Sequence, residues 1–281
     1  MTLLAVPNVS EGRNEAIIDS LVASVLETGT RVLDLHSDPA HNRSVITATE
    51  RGDRLVDAMA SLATRAASLI DLRMHQGVHP RLGVLDVCPI VPHDTSMKEA
   101  VRTAHQAGRA ILKQAGIPVY FYGHAARRAE TRHLPDIRRN LRTSGDLAPD
   151  LGNGEPDPRS GIACVGARPP LIAFNVWLTC DVATARTIAR RVRTDAVRAL
   201  GLAIDDSISQ VSMNLTSPDE TGIAGAFESV ERVAREFDAD VRATEIVGLV
   251  PKRYLPDPYD KSARLLMKPG RSLESVLAST S

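Results

Sequence analysis

The stretch from His75 to Pro92, HQGVHPRLGVLDVCPIVP, brings ionisable side chains to the mouth of a strongly apolar run. Val84, Leu85, Val87, Ile90 and Val91 read as a buried strand bounded by Gly83 and Pro92, so His75, His79 and Arg81 belong to the loop that feeds it. An imidazole exchanges protons near neutral pH, and a guanidinium grips a carboxylate in a forked geometry. Together they suit proton transfer on an acidic substrate. Pro80 fixes the backbone after His79, while Gly77 and Gly83 permit close approach of chain segments. The same spacing also describes a solvated loop histidine beside a surface arginine. A zinc site built from His75, His79, His93 and Asp86 is the other alternative, but Gly77 and Pro80 break the helix that an i, i+4 histidine pair needs. No metal is therefore expected.

The elements that must position this loop come in one order, twice. Leu3 to Val9 reads as a strand, Glu15 to Glu27 as a helix with Ile17, Ile18, Leu21, Val22 and Val25 on one face, and Arg31 to Leu35 and Ser44 to Thr49 as strands. Arg54 to Ile70 is a second helix and Gly83 to Val91 the fourth strand. A helix from Ser96 to Gln114 and a strand from Val119 to Tyr122 follow. The polar, turn-rich run DLAPDLGNGEPDPRSG then interrupts the pattern, as either a linker or a substrate loop. Beyond it, Gly166 to Leu178 reads as one long strand, Ala183 to Val197 as a helix, Gly201 to Asp205 and Gln210 to Leu215 as strands, Asp219 to Phe237 as a helix and Arg242 to Val250 as a last strand. The expected fold is α+β or α/β: two βαββαβ, ferredoxin-like subdomains, residues 1–161 and 162–281, whose mixed sheets face a central groove.

Composition narrows the function classes. The 281 residues are 43% hydrophobic and 24% charged, with a formal net charge of zero, so no basic excess points to nucleic acid. Cys88, Cys164 and Cys180 are odd in number, widely spaced and in apolar surroundings, as expected of free thiols in a reducing compartment. No run reaches the roughly 20 apolar residues of a membrane span, and no leader pattern follows Met1. A cytoplasmic protein without nucleic-acid or membrane partners is expected. No glycine-rich fingerprint follows the first strand and there is no P-loop, which argues against nucleotides.

HQGVHPRLGVLDVCPIVP resembles the signature of the formiminotransferase family. VPNVSEGRN from Val6, DPAHNRSVIT from Asp38, PVYFYGHAA from Pro118, GARPPLIAFNVWL from Gly166, SQVSMNLT from Ser209 and EIVGLVP from Glu245 resemble further family blocks in the same order. The resemblance implies two α/β subdomains with a folate tunnel between them, a homodimer, and tetrahydrofolate as co-substrate. It implies transfer of a formimino group from N-formiminoglutamate to N5 of tetrahydrofolate with release of glutamate, a step of histidine degradation, by a formiminotransferase domain lacking the cyclodeaminase. The family's catalytic histidine falls on His79. Its folate segment falls on Gly152, Asn153, Gly154, Glu155, Pro156, Asp157, Pro158, Arg159, Ser160 and Gly161.

Within that frame, Arg43, Arg81 and Arg168 are candidates to hold substrate carboxylates, each equally describable as a surface ion-pair partner. Asn8, Ser10 and Glu11 end the first strand and either orient the pterin or, for Ser10, cap the next helix. Asn42 adjoins Arg43, and His75 adjoins the catalytic triplet. Asn175 and Asn214 interrupt apolar strands, where a buried amide needs a partner. The chain departs from the common pattern at His36, His124, Asp157 and Trp177, where relatives carry an acid, a glutamate, a histidine or apolar residue, and an asparagine. Those departures leave two alternatives: a related enzyme with another one-carbon donor, or a folate-binding protein without turnover.

Overall fold

Pro7 offers no amide hydrogen to a ladder, and it divides the first strand into β1 (Leu3–Ala5) and β2 (Asn8–Val9). The computed structural model describes residues 2–143, 146–153 and 155–279. After β2 come α1 (Glu15–Leu26), β3 (Arg31–Asp38), β4 (Arg43–Glu50), α2 (Gly52–Leu69), β5 (Leu85–Pro92), α3 (Met97–Ala115) and β6 (Val119–Gly123). The helix starts follow capping chemistry: Asn14 and Ser96 accept from the backbone amides of Ile17 and Glu99. Gly116, at φ 70°, ends α3 in the left-handed conformation that glycine tolerates.

Both pieces of the first strand lie between β4 and β5, and β3 pairs on the far side of β4. A strand outside the repeated pattern, β7 (Ala163–Ala167), runs parallel to both β5 and β6. The apolar stripes of α1, α2 and α3 bury Leu21, Leu55, Met59, Leu62 and Ile111 against Val9, Ile46, Leu85 and Ile90. The opposite face carries a smaller cluster of Val87, Tyr120, Tyr122, Ile162 and Cys164. It is packed by a helix the sequence reading did not anticipate, α4 (Leu134–Thr143), through Ile137.

The chain divides into two compact units after Pro169, eight residues beyond the expected boundary at 161. The reason is that β7 belongs to the first sheet. The long strand expected from Gly166 to Leu178 is accordingly two, β7 and β8 (Ile172–Thr179), separated by Pro169 and Pro170, which cannot donate to a ladder. Unit 2 continues with α5 (Val182–Arg191), β9 (Val197–Ala203), β10 (Ser209–Leu215), α6 (Ile223–Arg235) and β11 (Asp240–Val247). Its sheet order is β11-β8-β10-β9 and every pair is antiparallel, so only the first of the two expected mixed sheets is mixed. Phe174, Val176, Val211, Met213, Phe227 and Val230 form its core under α5 and α6.

Candidate active site

One residue of β5 breaks the pleat. Asn8 pairs with Val87 and Val9 with Leu85, so one step on β2 spans two on β5, and Asp86 is the extra residue of a bulge. Leu85 stays in the three-helix core while Val87 joins the opposite cluster. A bulge re-aims a side chain, and here it delivers a carboxylate with no solvent exposure to arginines on two other elements. Asp86 Oδ2 accepts from Arg43 Nη1 of β4 at 2.6 Å and from Arg138 Nη2 of α4 at 2.6 Å. Its Oδ1 accepts from the Leu82 amide at 2.8 Å.

Burial by itself would raise the Asp86 pKa, but Arg43 and Arg138 outweigh it and hold the carboxyl below its usual range. Two guanidiniums share this carboxylate, so the cluster keeps one net positive charge. Their side chains are only 12% and 14% exposed, and in such surroundings an uncompensated charge favours an anion nearby.

His79 stands against this cluster. Its Nδ1 lies 2.8 Å from the carbonyl of Pro80, a group that can only accept, which assigns the proton to Nδ1. Nε2 therefore carries the lone pair. Arg43 Nη1, 3.4 Å from Nδ1, then acts on the ring as a neighbouring positive charge. Burial, followed by Arg43, Arg138 and His41, holds the His79 pKa well below the ordinary 6.5, the Pro80 bond opposing. At neutral pH the side chain is a neutral imidazole whose lone pair sits on Nε2.

The loop carrying His79 is held from several directions. Gly77 lies against the carbonyl of His41, where an added Cβ would meet that oxygen at 2.3 Å; at Gly83 a Cβ would meet the Ile162 carbonyl at 1.8 Å. The close approach expected of both glycines is present. Asn42, in the left-handed region at φ 48°, accepts from the Gly12 amide at 2.9 Å and donates to the Gln76 carbonyl at 2.9 Å. His75 Nε2 donates to the Asn42 carbonyl at 2.9 Å, and its buried Nδ1 has no hydrogen-bond partner among the described residues. Arg81 donates to the carbonyls of His75, Gly77 and His79 at 3.3, 2.5 and 3.2 Å. It organises the loop that bears the histidine.

Asn8, expected near a pterin, accepts from Arg43 Nε and Nη2 at 3.0 and 2.8 Å and so aligns that guanidinium on Asp86. Ser10 does not cap α1. Its hydroxyl donates to the Gly83 carbonyl at 2.8 Å, tying the end of β2 to the start of β5, because Asn14 stands one residue before the helix and takes the cap. Glu11 Oε1 accepts from the amides of Gly12, Arg13 and Asn14. His36, on β3, pairs with Val45 of β4, in the row that continues to Asn8 and Val87. Arg168 leaves β7 with its Nη1 on the Pro169 carbonyl at 3.0 Å.

Of the expected folate segment, Gly154 lies outside the described residues. Gly152 and Gly161 take positive φ, and Asn153, Glu155, Pro156, Asp157, Pro158 and Arg159 are exposed. The segment's end is bonded along the histidine loop: Val84 donates to the Ser160 carbonyl at 2.9 Å, Ile162 to that of Leu82 at 3.0 Å, and Leu72 to that of Arg159 at 2.9 Å. In unit 2, Asn175 and Trp177 share the sheet face opposite Phe174 and Val176. Asn175 is 2% exposed and donates to Glu245 Oε2 at 2.8 Å; the Trp177 Nε1 is buried with no hydrogen-bond partner among the described residues. Asn214 is exposed and pairs with Ala173 and Arg198.

Three members of the His79 environment have roles that the sequence does not show: Asp86 enters there only as a ligand of the alternative zinc site, and Arg138 and His41 are not among its site candidates. Asp86 had a signal, an acid inside an eight-residue apolar strand. Arg138 had one in the spacing of Leu134, Ile137 and Leu141, which marks an amphipathic helix. His41, whose ring centroid is 5.5 Å from that of His79, had only its place in the HNR triplet. Among the described residues, no group of three or more His, Cys, Asp or Glu side chains could hold a metal ion, and no helix is long and apolar enough to cross a membrane.

Residues 2–168 match the N-terminal subdomain of the formiminotransferase domain, and residues 173–260 match the formiminotransferase domain, a break that coincides with the division at Pro169. A glutamate formimidoyltransferase of Streptococcus pyogenes serotype M1 is 36% identical over 268 residues, 90% of this chain and 90% of that one. One of Thermoplasma acidophilum is 36% identical, over 90% of this chain and 89% of that one. The formimidoyltransferase-cyclodeaminase of Sus scrofa is 37% identical over 90% of this chain, which spans 50% of that longer protein.

Proposed function

The chain belongs to the formiminotransferase family, and from that premise we propose that it transfers a formimino group from N-formiminoglutamate to N5 of tetrahydrofolate, releasing glutamate in histidine degradation. Tetrahydrofolate is a co-substrate here. The observation that carries this assignment is the state of His79: Nδ1–H committed to the Pro80 carbonyl, Nε2 left as an acceptor, and the ring kept neutral. The exchange removes a proton from the attacking amine and gives one to the departing amine. A single imidazole whose free nitrogen can take the first proton and surrender it again meets both needs, a contribution of about 10²–10⁴ in rate.

Both substrates bear carboxylates, and the net positive charge of Arg43, Arg138 and Asp86 beside His79 suits an anionic ligand. The bonding of Ser160 and Ile162 along the base of the histidine loop supports residues 152–161 as the folate segment. The three free cysteines fit a cytoplasmic enzyme, and the family resemblance favours a homodimer, which sedimentation of the purified protein tests. The decisive assay follows formation of the formimino-folate product spectrophotometrically with tetrahydrofolate and N-formiminoglutamate. Product formation abolished by His79→Ala is the expected result; folate binding without turnover would overturn the assignment.

A second possibility, a different one-carbon donor, is favoured by Trp177. It stands on the same strand face as the buried Asn175, with an unpartnered indole N–H. N-formylglutamate and other formimino donors, assayed in parallel, distinguish the two.

A further inference from the structure

The Pro80 carbonyl accepts two hydrogen bonds: from His79 Nδ1 at 2.8 Å and from Arg138 Nη1 at 2.5 Å. Arg138 Nη2 is at the same time fixed on Asp86 Oδ2 at 2.6 Å, the oxygen that Arg43 also occupies. The fork of one guanidinium thus joins a buried carboxylate of β5 to the peptide that holds the histidine ring. We propose that Arg138 is a positioning residue for the transfer: by holding the Pro80 carbonyl it fixes His79 in the Nδ1–H tautomer with Nε2 turned to the reacting amines, and it keeps the ring from retaining the proton it takes.

Geometry carries the first part. An arginine presents its donors in a rigid planar fork, so anchoring one nitrogen on Asp86 sets the place of the other. Pro80 has no amide hydrogen and a fixed φ, so its carbonyl has little freedom once held. Electrostatics carries the second part. Among the described residues, the charged and titratable groups that act on the ring are Arg43 from β4, Arg138 from α4 and His41 from the turn before β4; Asp86 from β5 bonds both arginines, and Arg81 donates to the carbonyl of His79 itself. The one carboxylate among them is shared by two guanidiniums, leaving a net positive surround. A histidine oriented by a carboxylate gains stability as imidazolium; oriented by a neutral carbonyl beside two guanidiniums, it does not. Such a ring accepts a proton only while a partner is leaving and returns it readily, as a group that acts as base and then acid must.

The inference rests on His79 being the base, so His79→Ala is measured beside Arg138→Lys, Arg138→Gln and Arg138→Ala. Lysine keeps the charge but lacks the rigid planar fork that sets one donor on Asp86 and another on Pro80; glutamine can bond Pro80 without the charge. Misplacing the ring lowers kcat by on the order of 10²-fold in Arg138→Ala and Arg138→Lys, with KM for both substrates nearly unchanged in Arg138→Lys, which keeps the charge that suits an anionic ligand, and raised in Arg138→Ala, which removes it. The acid limb of the kcat profile stays in place in Arg138→Lys and moves to higher pH in Arg138→Gln and Arg138→Ala. Nitrogen-15 NMR of labelled full-length protein reads the tautomer without turnover: Nδ1–H in the parent, a mixture of tautomers in Arg138→Lys. Variants with parental kcat, pH profile and ring tautomer, altered only in thermal stability, would reduce Arg138 to a structural ion pair while leaving His79 as the base. Full activity of His79→Ala would instead remove the base itself.

Discussion

Two halves of this chain build one topology and use it differently. In unit 1 the strand order β3-β4-β1/β2-β5 places the first strand of the pattern between the third and fourth; in unit 2, β9-β10-β8-β11 does the same. The fourth strand of each half also carries a bulge. In β5 the extra residue is Asp86, buried and doubly bonded to arginines. In β11 it falls at Arg242, which is exposed. The sheet face away from the paired helices differs to match: unit 1 packs α4 there and assembles a charged cluster beside His79, whereas unit 2 carries the neutral-to-acid contact of Asn175 with Glu245. A shared topology fixes where strands run, and the chemistry comes from what one copy adds to it.

The largest break in that contrast is expected at His79. His79→Ala should lower turnover by about 10²–10⁴ with the fold retained, and steady-state kinetics on a variant within about threefold of the parent would show that another group moves the proton. Next comes Asp86→Ala, which strands two guanidiniums in a buried site and should destabilise unit 1 by about 3–5 kcal/mol in urea unfolding. A loss below about 1 kcal/mol would equate the cluster with an exposed ion pair.

In unit 2 the matching probe is Glu245→Ala. It leaves the buried Asn175 amide without its acceptor, at a cost of about 1–3 kcal/mol, and a neutral result would mean that water reaches this face. Trp177→Asn is expected to raise kcat/KM for N-formiminoglutamate if the indole crowds the donor, and only to lower stability if it packs.

The smallest effect is one of pH. The folded His79 pKa lies well below 6.5, so between about pH 7 and pH 5 the unfolded chain binds the proton first. Stability should therefore fall as pH is lowered through that window, and His79→Gln should flatten the fall. An unchanged slope would place the imidazole in water.

Helices with clear apolar stripes were legible along the chain: α1, α2 and α3 begin and end within a few residues of the expected limits. Errors gathered where proline or a short polar helix decides. Pro7 and the Pro169–Pro170 pair break strands whose apolar content runs straight through them, and α4 hides its three apolar positions among arginines. Among the candidate site residues, His79 stands out in the sequence by its loop, its proline and the family resemblance. The tasks of its neighbours do not: Arg81 organises carbonyls, and Ser10 ties strands where a helix cap was weighed.

The sequence by itself determined the order of elements, the apolar faces that bury them, the histidine at a strand mouth and the family. These are local facts of composition, period and motif. Only the tertiary structure decided what surrounds that histidine, because the contacts are distant in the chain: Arg138 lies 58 positions from Pro80, and Arg43 lies 43 from Asp86. A single residue of bulge turns Asp86 toward them, and no periodicity in the strand announces it. The assigned tautomer of His79, and the burial and positive charge that keep it neutral, follow from that non-local meeting of three strands, a loop and a helix.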